Sequence, residues 1–489
     1  MQRILSTFII FVSAFLLFQI QPILSKELLP EFGGGASVWS TSLFFYQSML
    51  LLGYLYAHLL SRYQLKRQLF IHTLLVAVSS IITFNTIEVS LFLSLTPAWS
   101  VIAKLFLQVG LVFMLLSATS VLLQRWYIES TAMTVPYQWY SLSNLGSLLA
   151  LLSYPFIFEV LFSIDEQKSY WTVGLFAYCI LLLCLIYVLF SNGSIADKAI
   201  TKSKTTLLVK PNWLWIAFSA TSSMMLIATT QMISINIPPM PLIWALPLVI
   251  YLLTFSYAFA SAKSYNRAHW TYLLIFSAFA GLMMFFLGSQ FNALAQLVIY
   301  SFILFIVCMI CHGELRKLAP DGSLLTVFYL YIALGGVIGS LLSALVAPLL
   351  FEQITEFIVA LAVALSLFIY TLLTQTTKTS SCYKIALLAT LVIWGTGYSY
   401  LFVNFNQYNL ASERNFYGYV TVKDITTSDL AERRLIDGTT IHGSQPLNKQ
   451  TELTNSYYHH HTGIAKSLSA LKKQQDLNIG IIGLGAGVL

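Results

Sequence analysis

Runs of about twenty apolar residues recur along most of the chain. They fall near 4–24, 38–60, 69–89, 101–123, 139–162, 170–191, 212–233, 241–260, 269–289, 292–311, 324–350, 355–375 and 383–403. A helix rising about 1.5 Å per residue crosses the ~30 Å hydrocarbon core of a bilayer in that length. The first run has only Arg3 ahead of it and no small-residue cleavage site behind it, so it reads as a span and not a leader. After residue 404 the pattern changes, with frequent charges and no further span. There Val420-Thr421-Val422-Lys423 alternates like a strand, Arg434-Leu-Ile-Asp-Gly438 carries a turn signal, and 462–474 reads as a helix. The predicted class is an all-α polytopic membrane protein, two six-helix repeats plus a thirteenth helix, followed by an incomplete β-rich or α/β tail.

Composition supports this class. Of 489 residues, 57% are hydrophobic and 9% charged, against about 25% charged in a soluble domain. A soluble enzyme, a disordered chain and a nucleic-acid binder are excluded, and the lipid bilayer is the expected partner. The net charge of +7 lies mostly in short connections. Arg62, Lys66 and Arg67 follow the second run, Lys198, Lys202, Lys204 and Lys210 the sixth, Lys263 and Arg267 the eighth, Arg316 and Lys317 the tenth. The connections after runs three, seven, nine and eleven hold no Lys or Arg. Basic connections stay in the cytoplasm, which predicts a bacterial inner-membrane protein with a cytoplasmic N-terminus and an extracytoplasmic tail. The five cysteines fall mostly inside apolar runs and form no disulfide framework.

The chain also repeats itself. Leu145–Glu159 (LGSLLALLSYPFIFE) and Ile338–Glu352 (IGSLLSALVAPLLFE), 193 residues apart, agree at eight of fifteen positions. Leucines match easily by chance; a shared Gly, Pro and Glu do not. Val38-Trp39 pairs with Ile243-Trp244, each followed by a tyrosine, Tyr46 or Tyr251. The predicted organisation is a first half over 1–191, a basic linker over 192–211, a second half over 212–375, an extra helix over 383–403 and a tail over 404–489. Two six-helix halves with a basic linker resemble the major facilitator architecture, although Ser61–Gln68 lacks the glycines and aspartate of that superfamily's signature. The resemblance implies halves that rock about a midplane site.

Candidate chemistry is sparse. Gln19, Gln21 and Lys26, ahead of Gly33–Gly35, form the most unusual polar cluster and read either as a substrate contact or as helix-end capping. Lys104, Glu159 and His58 lie near ends of runs, where snorkelling accounts for them. No chain of carboxylates crosses the bilayer, which argues against proton coupling. Cys308-Met-Ile-Cys311-His312 matches a haem-attachment spacing, but it ends a span on the predicted cytoplasmic side. His459–His461 invites a metal reading, yet three adjacent histidines on a strand or helix do not point one way, so no metal site is expected.

In the tail, Asn478-IGIIGLGAGVL reads as a strand running into Gly483-x-Gly485-x-Gly487, glycines that let backbone approach a nucleoside. Leu435-Ile-Asp437-Gly438 with Gln445, Tyr458-His459, and Gly483–Gly487 resemble the opening of the spermidine synthase (polyamine aminopropyltransferase) fold. FQIQPILSKELLPEFGG, LSATSVLLQRWY, SLSNLGSLLALLSYPF and CHGELRKLAP resemble bacterial proteins that fuse a facilitator-like membrane region to such a domain. The resemblance implies a decarboxylated S-adenosylmethionine-like nucleoside, not tightly bound, held at Gly483, Gly485, Gly487 and Gln445, with an amine at Tyr458 and His459. It places the catalytic aspartate beyond Leu489, so the chain is expected to be inactive alone, whether as a fragment, a frameshifted product or one part of a split protein with the rest of that domain on a separate polypeptide. The alternatives are a facilitator-like transporter of a polyamine or other small solute, and a membrane anchor or assembly module.

Overall fold

The computed structural model describes residues 2–84, 95–131, 138–191, 212–237, 241–261, 264–320, 325–375, 381–426, 431–438, 440–447, 459–471, 480–483 and 485–486. Thirteen helices among them are long and apolar enough to cross a membrane. In the first half these are α1 (Gln2–Phe32), α2 (Ala36–Leu60), α3 (Leu65–Ile82), α4 (Pro97–Thr131), α5 (Leu142–Leu161) and α6 (Ile164–Ser191). The second half has α7 (Trp213–Ile235), α8 (Ile243–Ala260), α9 (Arg267–Gln290), α10 (Ala293–Lys317), α11 (Val327–Leu350) and α12 (Glu356–Gln375). The thirteenth is α13 (Ser381–Asn406). In hydrocarbon every backbone group must be bonded within its own segment, which is why apolar runs of this length become helices. Three begin on an asparagine cap: Asn212, Asn266 and Asn292 accept from the backbone N–H of Leu214, Ala268 and Ala295. The basic linker expected over 192–211 lies outside the described residues.

Helix neighbours establish two equivalent halves. In the first, α1 packs on α5, α6 and α4, α2 on α4, and α3 on α4 and α6. In the second, α7 packs on α11, α12 and α10, α8 on α10, and α9 on α10 and α12. Contacts between halves follow the same symmetry, α2 against α11 and α8 against α5. The repeated sequence has a physical reason. A Cβ on Gly146 of α5 would lie 2.7 Å from the Phe11 carbonyl oxygen of α1. A Cβ on Gly339 of α11 would lie 2.1 Å from the Ala220 carbonyl oxygen of α7. The matched glycine is where the two helices of each half touch backbone to backbone, as small residues allow in membranes. The matched proline accompanies a widened turn, Tyr154–Phe158 around Pro155 and Leu342–Val346 just before Pro348, because proline removes one helical donor and crowds the preceding turn.

Two sequence expectations need correction. Gln19, Gln21 and Lys26 do not cap a helix end; α1 continues through them and through Pro22 and Pro30 to Phe32, and Gly33, at φ +78°, ends it. Lys104 and Glu159 do not merely snorkel. Lys104 Nζ lies 2.5 Å from Glu31, and Glu159 lies 3.2 Å from Lys26 Nζ. Each charge near these helix ends is therefore held by a partner of opposite sign.

The tail forms an antiparallel meander, β1 (Asn409–Arg414), β2 (Tyr419–Thr426), β3 (Ala431–Asp437) and β4 (Thr440–Pro446), in that order across the sheet, followed by α14 (Gly463–Leu471). Helix α13 is mostly exposed and docks through Leu387 and Trp394, whose Nε1 donates to the Ala278 carbonyl at 2.8 Å. The sheet sits at the helix ends opposite the basic connections, with Arg414 of β1 on Glu356, the first residue of α12. A cysteine at exposed Thr440, in a chain otherwise free of cysteine, is therefore expected to react with an impermeant thiol reagent from outside the inner membrane. Reaction only after that membrane is broken would reverse the orientation read from the charges.

Candidate functional site

A cavity of about 190 Å³ lies between the halves, lined from α1, α2, α4, α5, α7, α8 and α11. Beyond it towards the sheet lies a stacked pair, Trp39 and Trp244, with ring centroids 6.0 Å apart and planes at 15°. These are the two tryptophans matched in the sequence repeat. Each lies one helical turn beyond a lining leucine, Leu43 or Leu248. Towards the basic connections the cavity runs on past Tyr54, Ser120 and Tyr329.

Its two walls differ in chemistry. The first half contributes Gln21, Tyr46, Gln47, Asn144 and a series of serines among its leucines and phenylalanines; the second contributes mainly Leu226, Leu248, Leu252, Phe255 and Ile332, with Ser219, Tyr251 and Tyr329 as its polar groups. The asymmetry appears at positions matched by the repeat: the lining residues Gln47, Tyr54 and Asn144 correspond to Leu252, Phe259 and Val337, of which only Leu252 lines the cavity. Two polar atoms on the first wall are buried with no partner, the Tyr46 hydroxyl and Asn144 Nδ2. Gln21 Nε2 makes only a long 3.4 Å bond to the Leu17 carbonyl. Gln47 is engaged, its Oε1 accepting from Ser223 of α7 at 2.9 Å. No charged side chain lines the cavity among the described residues. Unsatisfied buried donors are costly, and here they face space that a hydrogen-bonding solute can fill.

Charged clusters lie outside the cavity. In the first half Lys26–Glu159, Lys104–Glu31 and Lys168–Glu27 (2.6 Å) tie α1 to α5, α4 and α6. At the basic-connection end of the second half, Arg267 forks onto Glu314 at 2.7 and 2.5 Å, and Tyr265 donates to the same carboxylate at 2.9 Å. Burial beside the Glu314 carboxylate pushes the Tyr265 phenol well above its ordinary value, so it remains a donor. His312 is buried against Tyr251 and Phe255, and its Nδ1 lies 3.1 Å from the Thr254 hydroxyl. Cys308 and Cys311 are free and buried.

The structure thus sorts the sequence candidates. Gln21 lines the cavity; Gln19 is buried in α1 with neither amide atom bonded; Lys26 is taken by Glu159. Asn144, inside SLSNLGSL, escaped sequence reading, although an amide within a span is itself a signal. In the tail, Gly483 (φ +79°) and Gly485 (φ +59°) adopt left-handed backbone, and Gln445 on β4 pairs with Arg433 of β3. Gln445, Gly483 and Gly485 are all exposed, and no hydrogen bond joins them. Tyr458 and Gly487 lie outside the described residues. His459–His461 occupy a turn and not the strand or helix expected, so the three side chains gather. Their rings lie 3.9 to 4.9 Å apart and their nitrogens within 4.8 Å.

No protein-family model matches the chain, and no curated protein does. Among solved structures it is similar to the major facilitator superfamily proton:xylose symporter XylE, at 11% identity and TM-score 0.49, over 76% of this chain and 96% of that one. It is also similar to the nucleoside transporter NupG, at 11% identity and TM-score 0.45, over 77% and 100%. A third is the E. coli fucose:proton symporter FucP, at 14% identity and TM-score 0.39, over 75% and 98%.

Proposed function

We propose that this protein is a facilitator-like transporter that passes an uncharged solute through the central cavity by rocking its two halves. The supporting observation is a cavity on the pseudo-twofold axis whose first wall offers the unbonded Tyr46 hydroxyl and Asn144 amide. A solute with a hydrogen-bonding edge and a flat apolar face fits both walls. A polyamine dication fits neither, since burying a charge without a counter-charge is strongly unfavourable.

The test is uptake into proteoliposomes of radiolabelled uridine, an uncharged probe of that shape, beside putrescine. Uridine uptake above empty vesicles, with no putrescine uptake, is the expected result. Uptake of putrescine but not uridine would overturn the assignment, as would uptake of neither. Asn144→Leu is expected to lower uridine uptake about tenfold while leaving the melting temperature unchanged, in line with the ~0.5–1.5 kcal/mol of one neutral hydrogen bond.

A further inference from the structure

The β1–β2 hairpin of the tail crosses from one half to the other at the face closed by the tryptophan pair. Its turn is held by Asn415, whose backbone N–H donates to the Gly418 carbonyl at 2.9 Å and whose side chain accepts from the N–H of Tyr417 at 2.9 Å. On one side of this turn Arg414 enters the second half. Its guanidinium donates to both Glu356 oxygens at 3.0 and 2.7 Å, to the Gln353 carbonyl at 2.7 Å, and to Gln231 Oε1 of α7 at 3.1 Å. The pair is buried, with the Glu356 side chain fully covered and that of Arg414 6% exposed. Gln231 then reaches the first half, its Nε2 lying 3.4 Å from the hydroxyl of Ser40, next to Trp39. On the other side of the turn Phe416 packs on the apolar core of the first half, while Tyr419 packs on that of the second.

We propose that this hairpin, Arg414 to Tyr419, is a strap that holds the tail-side face of the membrane region shut, so that opening on that face requires Arg414 to leave Glu356 or Phe416 to leave the first half. The physical reason is geometric. Two halves that rock about a central site must separate on one face as they meet on the other, and a hairpin anchored in both resists that separation. A bidentate, buried arginine–carboxylate pair is a directional anchor that a surface pair would not provide. The strap rests on the rocking motion proposed above, and the experiment separates the two.

The test uses spin labels on two pairs of exposed positions in the full chain, freed of native cysteines. Asp165→Cys with Gln290→Cys reports the tail-side face, and Arg62→Cys with Thr374→Cys the opposite face. In the otherwise unaltered chain the tail-side pair is expected to give one short distance. Arg414→Ala is expected to enlarge a longer-distance population at least fivefold, with the opposite pair shortening in step. Phe416→Ser, which strands no buried charge, is expected to act in the same direction and carries the test should Arg414→Ala not fold. An exchange of charges, Arg414→Glu with Glu356→Arg, is expected to restore the short distance. If the opposite-face pair shows two populations while neither strap variant alters the tail-side distances, the strap is wrong and the rocking stands. If neither pair moves in any variant, both are wrong.

Discussion

Gly339→Leu is expected to yield protein that does not survive extraction as a monodisperse species. A Cβ at Gly339 would lie 2.1 Å from the Ala220 carbonyl oxygen and 2.8 Å from its carbon, and Gly335, one turn earlier, meets the Ile216 carbonyl at 2.5 Å in the same way. The obstacles are backbone atoms of α7, which cannot rotate away as a side chain can. The cost should reach or pass the ~3 kcal/mol upper end of ordinary overpacking. Gly146→Leu, the matched change in the first half, meets the Phe11 carbonyl at 2.7 Å and should fail similarly. Gly395→Leu in α13 has nothing within 4 Å of its Cβ and should be harmless. Size-exclusion profiles in detergent measure all three. A normal profile and melting temperature for Gly339→Leu would show that α7 and α11 do not pack as described.

Arg267→Ala is expected to cost roughly 3–5 kcal/mol, the range for removing one partner of a buried ion pair. The change leaves the Glu314 carboxylate, whose side chain is fully covered, bonded to the Tyr265 hydroxyl with Lys317 as the remaining nearby positive charge. Gln375 of α12 also loses its bond from the Arg267 guanidinium, 2.7 Å in the intact chain. Removing both charges with Arg267→Leu and Glu314→Leu together should recover much of the loss, because no charge is then stranded. Thermal unfolding in detergent, repeated in 1 M salt, reads the effect. A salt-insensitive drop for the single variant and recovery in the double variant are expected, since solvent ions screen buried pairs weakly. Equal drops in both would mean that Arg267 acts through packing and not through charge.

Much of the fold is legible in the apolar runs because a bilayer leaves the chain few options, and a long apolar segment declares itself by length alone. The repeat is legible for a different reason. Its Gly and Pro sit where backbone meets backbone and where a turn must widen, positions that composition does not fill by chance. The site is less legible because its polarity is relative. Asn144 and Gln47 look like ordinary amides until they are found on the cavity wall, with Leu252, the match of Gln47, on the opposite wall. Arg414 could not be read at all, since its partners Glu356 and Gln231 lie in distant helices and nothing local distinguishes it from Arg433, which pairs with Asp424 on the exposed sheet at 2.9 Å. Lys26, Lys104 and Glu159 read as capping or snorkelling groups for the same reason, their partners Glu159, Glu31 and Lys26 being far away in the chain.

The stacking of Trp39 on Trp244 also bears on ancestry. In an isologous pairing, a residue on the twofold axis meets its own copy, and these two indoles meet in that way from matched positions of the two halves. If such a half once paired with an identical partner, every lining change would have been made on both walls together. An amide facing an amide, or a leucine facing a leucine, was then the only choice available. Joining the copies in one polypeptide removes that restriction: Leu43 and Tyr46 still match Leu248 and Tyr251 on the opposite wall, while Gln47 has come to match Leu252. A cavity with more amides and hydroxyls on one wall than on the other is a form of discrimination that duplication followed by fusion makes accessible, and that a symmetric pair of identical halves could not reach.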